Sequence, residues 1–139
     1  MMHYRFIKKA DNKTLEQIIS LYREQGWWDR SDTKRMLRRI IKDSHCFMVA
    51  VERERVAGMA RAINAYSKEA YIHDVAVFRE FRGRDIGSVL VSRLVRRLKA
   101  DGIGWIGLIA TSNSAPFYRR LGFRPPADAQ AMILGKNNV

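Results

Sequence analysis

The chain has 139 residues, 47% hydrophobic and 29% charged, enough for one domain over 1–139 that buries its own core without a disulfide or metal staple. Three prolines and nine glycines exclude a collagen-like or low-complexity chain, the single Cys46 excludes a disulfide framework or multi-cysteine metal site, and no apolar run approaches the roughly 18 residues of a membrane span. Twenty-six Lys and Arg against 14 Asp and Glu leave +12, which favours polyanionic partners such as nucleic acid, a phosphorylated cosubstrate or an acidic surface, and says nothing about fold.

His3 to Ile7 alternates as a first strand. Asp11, Asn12 and Thr14 offer caps, and Thr14 with Gln17 a capping box, for a helix whose apolar residues Leu15, Ile18, Ile19 and Tyr22 fall at i, i+3, i+4 and i+7; Gly26 ends it. Trp27-Trp28-Asp29 makes a turn, and Ser31 or Asp32 caps a second helix with Met36, Leu37, Ile40 and Ile41 inside. Strands follow at 46–52, 56–65 and 71–78, then a polar loop at 79–85 and a helix over 86–100. Residues 105–110 read as another strand. Pro116 lies in the first turn of a short helix reaching Leu121, Gly122 closes it, and Pro125-Pro126 breaks the chain. A last short strand is expected over 130–134 and a frayed tail over 135–139. The fold class is α/β: a mixed central sheet, order β-α-α-β-β-β-α-β-α-β, with helices on both faces.

The segment YIHDVAVFREFRGRDIGSVLVSRL, residues 71–94, carries the chemistry. An apolar strand runs into a glycine-bearing polar loop, and a helix begins directly after it. Successive N–H groups at such a start point at one spot, and the helix dipole adds ~0.3–1 kcal/mol for an anion there. Gly83 and Gly87 permit close backbone approach, and Arg79, Arg82 and Arg84 supply guanidinium groups suited to phosphate. The residues thus read as a diphosphate cradle, with an ordinary glycine-containing loop as the plain alternative. Neither GxxxxGK[ST] nor a GxGxxG after a first strand is present.

The same stretch resembles the acetyl-CoA-binding segment of the GNAT superfamily of N-acetyltransferases, written Q/R-x-x-G-x-G/A and preceded by a strand of the type D-x-A-V-x-P-E-x-R-G, with Phe78-Arg79 here where that strand carries its proline. Asp74-Val75-Ala76-Val77 matches the strand end, and Arg82-Gly83-Arg84-Asp85-Ile86-Gly87 matches the loop, with Asp85 at the middle glycine. Pro116-Phe117-Tyr118-Arg119-Arg120-Leu121-Gly122-Phe123 resembles the F-Y-x-x-L-G-F helix of that family, and residues 21–27 resemble the LYxxxGW segment of a bacterial and archaeal subgroup. The resemblance covers nearly the whole chain and implies the GNAT fold.

It implies an acetyl-CoA-dependent N-acetyltransferase in which an amine attacks the thioester directly, with no metal. Backbone groups of Val75, Ala76 and Val77 would pair with pantetheine, and N–H groups from Arg82, Gly83, Arg84, Asp85, Ile86, Gly87 and Ser88 would hold the diphosphate. Tyr118 matches the tyrosine that protonates the departing thiolate, and a Val75 or Val77 N–H would polarise the acetyl carbonyl. Asp74 is the first choice of general base, with His73, Glu69 or a water chain as alternatives; alternation along a strand sets His73 and Asp74 on opposite faces. Asn113 either bonds pantetheine amides or caps the next helix. Trp27, Trp28 and Arg61 are expected to line the acceptor pocket, the two tryptophans equally as core and rim.

Asp85 brings a carboxylate to the diphosphate loop, so a GNAT fold that binds acyl-CoA without catalysis is the second reading. A basic nucleic-acid-binding module is the third, and no interleaved aromatics, helix-turn-helix or zinc-finger spacing support it. Cys46 reads as a buried structural thiol, and His3, His45 and His73 show no metal spacing. The amino terminus MMHYRFIKK lacks the apolar core of a secretory signal, so a cytoplasmic location is expected, with no membrane partner. Dimers are common in the family, which makes a homodimer an expected assembly.

Overall fold

The run Cys46–Ala50 is buried at every residue, the signature of a strand covered on both faces. It forms part of β2 (Cys46–Glu52), flanked by β1 (His3–Phe6) and β3 (Arg55–Ile63). The computed structural model describes residues 1–111 and 113–135. In chain order the other elements are α1 (Asn12–Glu24), α2 (Lys34–Asp43), β4 (Glu69–Val77), a 3-10 turn (Arg79–Phe81), α3 (Ile86–Ala100), β5 (Trp105–Gly107) and α4 (Ala115–Arg120). The sheet runs β1-β2-β3-β4-β5, antiparallel through β4, with β5 parallel to β4. No helix among the described residues is long and apolar enough to cross a membrane.

The chain forms two compact units, Met1–Leu108 and Ile109–Val139. In the first, alternate residues of each strand meet different helices. Phe47, Val49, Met59 and Ala76 join Leu15, Ile18, Tyr22, Leu37 and Ile41 in one cluster under α1 and α2. On the other face, Gly58 meets α3: a Cβ there would stand 2.9 Å from the Ala76 carbonyl and 3.1 Å from Leu90 Cδ1. The absent side chain lets α3 close onto β3, and this seats the start of α3 beside the end of β4. The second unit contains α4, with Pro116 in its first turn.

Several local expectations change. Of the three candidate caps, Asp11 is the one that caps α1, its carboxylate accepting the Thr14 N–H at 2.8 Å, and the Thr14–Gln17 capping box does not form. Gln17 is thereby free to bridge the β2–β3 hairpin: it accepts the Val56 N–H at 2.8 Å and donates to the Glu54 carbonyl. Thr33 caps α2 in place of Ser31 or Asp32, and Met36 is exposed. The strand expected over 105–110 stops at Gly107. The last strand expected over 130–134 does not form: Met132, Ile133 and Leu134 are exposed, and no strand pairing involves them. A strand is held by its ladder partner, and alternation of residue types alone does not supply one. The expected tail lies, beyond Gly135, outside the described residues.

Candidate functional site

β4 is paired with β3 over Tyr71–Val77, but on its other side only over Glu69–Tyr71, which meet Trp105–Gly107 of β5. From Ile72 to Val77 that second edge has no strand partner among the described residues. The backbone direction there follows from the ladder. The Phe78 N–H reaches the Ala57 carbonyl on β3, so the peptide groups of Val77 turn to the open edge. Val75, two residues earlier, turns the same way, while the Ala76 side chain goes into the α1 cluster.

The register between β3 and β4 slips here. Met59 faces Ala76 and Arg61 faces His73, so Asp74 and Val75 together oppose Ala60. This is a β-bulge, and Asp74 takes it with φ +55°, in the left-handed region. Alternation therefore fails at this point. His73 lies across from Arg61, and the Asp74 carboxylate accepts both the Arg61 Nε–H at 2.6 Å and the Tyr22 hydroxyl at 2.8 Å. His73 and Asp74 share a face, which corrects the expectation that they oppose each other.

This polar group is largely enclosed. Arg61 is 16% and Asp74 24% exposed. Arg61 also donates from Nη1 to Ser44 Oγ at 3.2 Å, and Ser44 donates to the Ile40 carbonyl. Burial and the adjacent Asp74 charge push the Tyr22 phenol far up, so it stays a donor. Partial burial and the Arg61 charge push the His73 imidazole down, favouring its neutral, proton-accepting form. Trp28 stacks on Tyr22, ring centroids 4.0 Å apart, and serves as core wall; Trp27 meets the same ring edge-on and is 46% exposed, a rim position. Arg61, expected to meet the acceptor, has the Asp74 carboxylate as its partner. Sequence reasoning missed Tyr22 and Ser44. The available signal was that a tyrosine at a core helix position needs a partner for its hydroxyl.

The loop expected to cradle a diphosphate follows β4. Gly83 has φ +83° and Asp85 φ +60°. Two left-handed residues swing the chain into α3, whose first-turn N–H groups at Ile86, Gly87 and Ser88 have no carbonyl a turn before them. Asp85 is exposed and does not cap the helix with its side chain. A Cβ at Gly83 would meet nothing within 4 Å. Its glycine therefore serves the positive φ rather than space.

The arginines expected around the phosphate are partly committed elsewhere. Arg84 pairs with Glu52 through two hydrogen bonds of 3.2 and 2.8 Å. Arg82 donates from Nε to the Val77 carbonyl at 3.2 Å. Arg55 pairs with Glu80, and the guanidinium groups of Arg55 and Arg84 lie 5.1 and 5.8 Å from the Phe81 ring centroid. These contacts tie the loop to the β2–β3 hairpin.

In the second unit, Tyr118 lies on α4 with its ring against Phe117 and Phe123. Burial pushes its phenol up, so the hydroxyl carries its proton at neutral pH. Asn113 is exposed and lies just before Ser114, whose N–H donates to the Thr111 carbonyl. Cys46 is buried, its thiol pushed up to about 11, which leaves little thiolate.

A profile for the Acetyltransferase (GNAT) family matches residues 13–123. The chain belongs to the GNAT acetyltransferase family. This family is one of acyltransferases. The chain is 31% identical over 121 residues to an uncharacterized N-acetyltransferase of Chlorobaculum tepidum, covering 86% of this chain and 74% of that one. It is 42% identical over 72 residues to the GCN5-related N-acetyltransferase 2, chloroplastic, of Arabidopsis thaliana. That match covers 52% of this chain and 28% of the plant protein, so the chain spans under a third of that relative. Among solved structures, the GNAT-family acetyltransferase SP0256 of Streptococcus pneumoniae superposes with a TM-score of 0.80 at 22% identity, covering 99% of this chain and 100% of that one. That likeness is one of fold.

Proposed function

We propose that this GNAT protein transfers the acetyl group of acetyl-CoA to a primary amine within a ternary complex. The observation that carries the reading is the continuous run from the open β4 edge, over Ile72–Val77, into the unpaired N–H groups opening α3. A pantetheine arm can add to that edge as a strand would, and a diphosphate fits the helix start, where the dipole favours negative charge. Acetyl-CoA supplies an activated thioester. The N–H of Val75 polarises its carbonyl, an amine nitrogen forms the new C–N bond, and the C–S bond breaks with its electrons going to sulfur. Tyr118 gives the thiolate its proton, a role supported by a phenol held protonated through burial. The amine proton leaves to His73, whose neutral form the site favours. We place Asn113 on the pantetheine amides, Trp27 at the acceptor rim, and the reaction in the cytoplasm, where the protein acts as a homodimer.

Calorimetric titration with acetyl-CoA, followed by thiol release against an amine panel, tests this. Saturable binding with release for one amine class is the expected result. Absence of binding overturns the reading, and binding without release by any amine favours an acyl-CoA sensor, which the exposed Asp85 carboxylate on the loop gives some ground for. Tyr118→Phe is expected to lower kcat by ~10²-fold or more while acetyl-CoA affinity holds. An unchanged kcat removes Tyr118 as the acid.

A further inference from the structure

We propose that Asp74 is a positioning residue and not the general base: gripped by Tyr22 and Arg61, it fixes the β4 bulge that aims the Val75 N–H at the acetyl carbonyl. The inference rests on the acetyltransferase reading.

The argument starts from conformation. A non-glycine residue at φ +55° is held there by its surroundings, and aspartate is among the few side chains that tolerate the region. Both donors converge on one atom, Asp74 Oδ2: the Tyr22 hydroxyl from α1 at 2.8 Å and Arg61 Nε from β3 at 2.6 Å. Two different elements thus hold the side chain of the one residue whose backbone makes the bulge. Arg61 is itself steadied by Ser44 at the end of α2, and Tyr22 by the stacked Trp28. The bulge leaves Asp74 and Val75 opposite Ala60, between the Arg61–His73 and Met59–Ala76 pairs, and this sets the direction of the Val75 peptide. An oxygen that accepts from a guanidinium and a phenol is poorly disposed to take a proton from an amine. His73, on the same face, carries no such pair of donors.

One substitution separates the two roles. Asp74→Asn keeps an oxygen able to accept both bonds, and asparagine also tolerates the left-handed region, but it cannot act as a base. Asp74→Ala removes the grip. Tyr22→Phe removes one donor and leaves the core ring in place.

The readout is the infrared carbonyl band of acetyl-CoA labelled with carbon-13 at the thioester carbon, bound to each full-length variant, with affinity measured in parallel by calorimetry. In the wild type the bound band is expected below its free position. Asp74→Asn keeps most of that downshift, Tyr22→Phe loses part of it, and Asp74→Ala loses it, all with acetyl-CoA affinity within about tenfold of wild type. Equal bands in wild type and Asp74→Ala overturn the inference while leaving acetyl-CoA binding intact. A downshift lost equally in Asp74→Asn and Asp74→Ala also overturns it, since the grip would then not be what matters. If Asp74→Ala does not fold, Tyr22→Phe against Asp74→Asn decides by the same band. No binding by the wild type removes the acetyltransferase reading itself, and the inference with it.

Discussion

At the β4 bulge, side chains from α1, β3 and β4 meet with Arg61 and Asp74 16% and 24% exposed. At the entry to α3, the loop is tied by Glu52–Arg84 and Arg55–Glu80, whose arginines are 47% and 57% exposed. Coulomb attraction is weak where water screens it and stronger where water is excluded. The bulge is therefore fixed by its side chains, while the loop keeps its shape mainly through the backbone conformations of Gly83 and Asp85. Under the proposed acetyl-CoA reading, the comparison separates two demands on one site. A reacting carbonyl needs a donor held to within fractions of an ångström, whereas a diphosphate is held by several N–H groups at once and tolerates a looser frame.

The largest effect that could break this contrast comes from Arg61→Gln. It removes the cation facing Asp74, and after allowance for partial exposure costs about 1–2 kcal/mol, or a Tm loss of about 5 °C. Glu52→Gln, cutting the tether whose Arg84 side is 47% exposed, is expected to lower Tm by less. Thermal melts giving equal losses would show that burial does not distinguish the two regions.

Gly83→Ala comes next. At φ +83° with open space around it, the cost is conformational, ~1 kcal/mol or somewhat more, and the distorted loop should weaken acetyl-CoA binding up to about tenfold. Calorimetry showing no change would mean that the loop backbone does not hold the diphosphate. Asp85→Gly should act in the opposite direction: it relieves a non-glycine at φ +60° and removes a carboxylate from the anion site, tightening acetyl-CoA a few-fold. A large loss of affinity would instead assign Asp85 a contact of its own.

The smallest effect concerns pH. His73 has its imidazole pushed down in the folded chain by burial and by Arg61, against the opposing pull of Asp74. As pH falls below the ordinary histidine value of about 6.5, the unfolded chain takes up a proton that the folded chain resists. Stability is therefore lost on acidification through this window and is unaffected by His73 above it. His73→Gln should flatten that slope in urea titrations run at a series of pH values; an unaltered slope would place the titration elsewhere.

The site was legible in the sequence where it depends on local backbone rules. The strand–loop–helix at 71–94 showed in its apolar run, its glycines and the helix period, and α3 begins at Ile86 and ends at Ala100 as the pattern indicates. The D-x-A-V strand and the RGRDIG loop carried the family resemblance that the profile over residues 13–123 bears out. The caps were harder to read, because Asp11, Thr14, Thr33 and Asp32 are all competent cap residues and a shift of a few positions leaves the helix face unchanged.

The bulge was not legible. Residues 71–77 read as one continuous, apolar-rich strand, and the extra residue shows only in the register against β3, a relation between separate segments of the chain. The same holds for Tyr22, Arg61 and Asp74, up to 52 positions apart, whose convergence depends on how α1 lies across the sheet. It holds as well for Met132–Leu134, whose pattern suits a strand but which joins no ladder among the described residues. Local composition sets which elements form and what they can donate. Which side chains meet, and whether a carboxylate is free or gripped, follows from packing between distant segments, since hydrogen bonds and ion pairs act over a few ångströms and carry no record in the intervening chain.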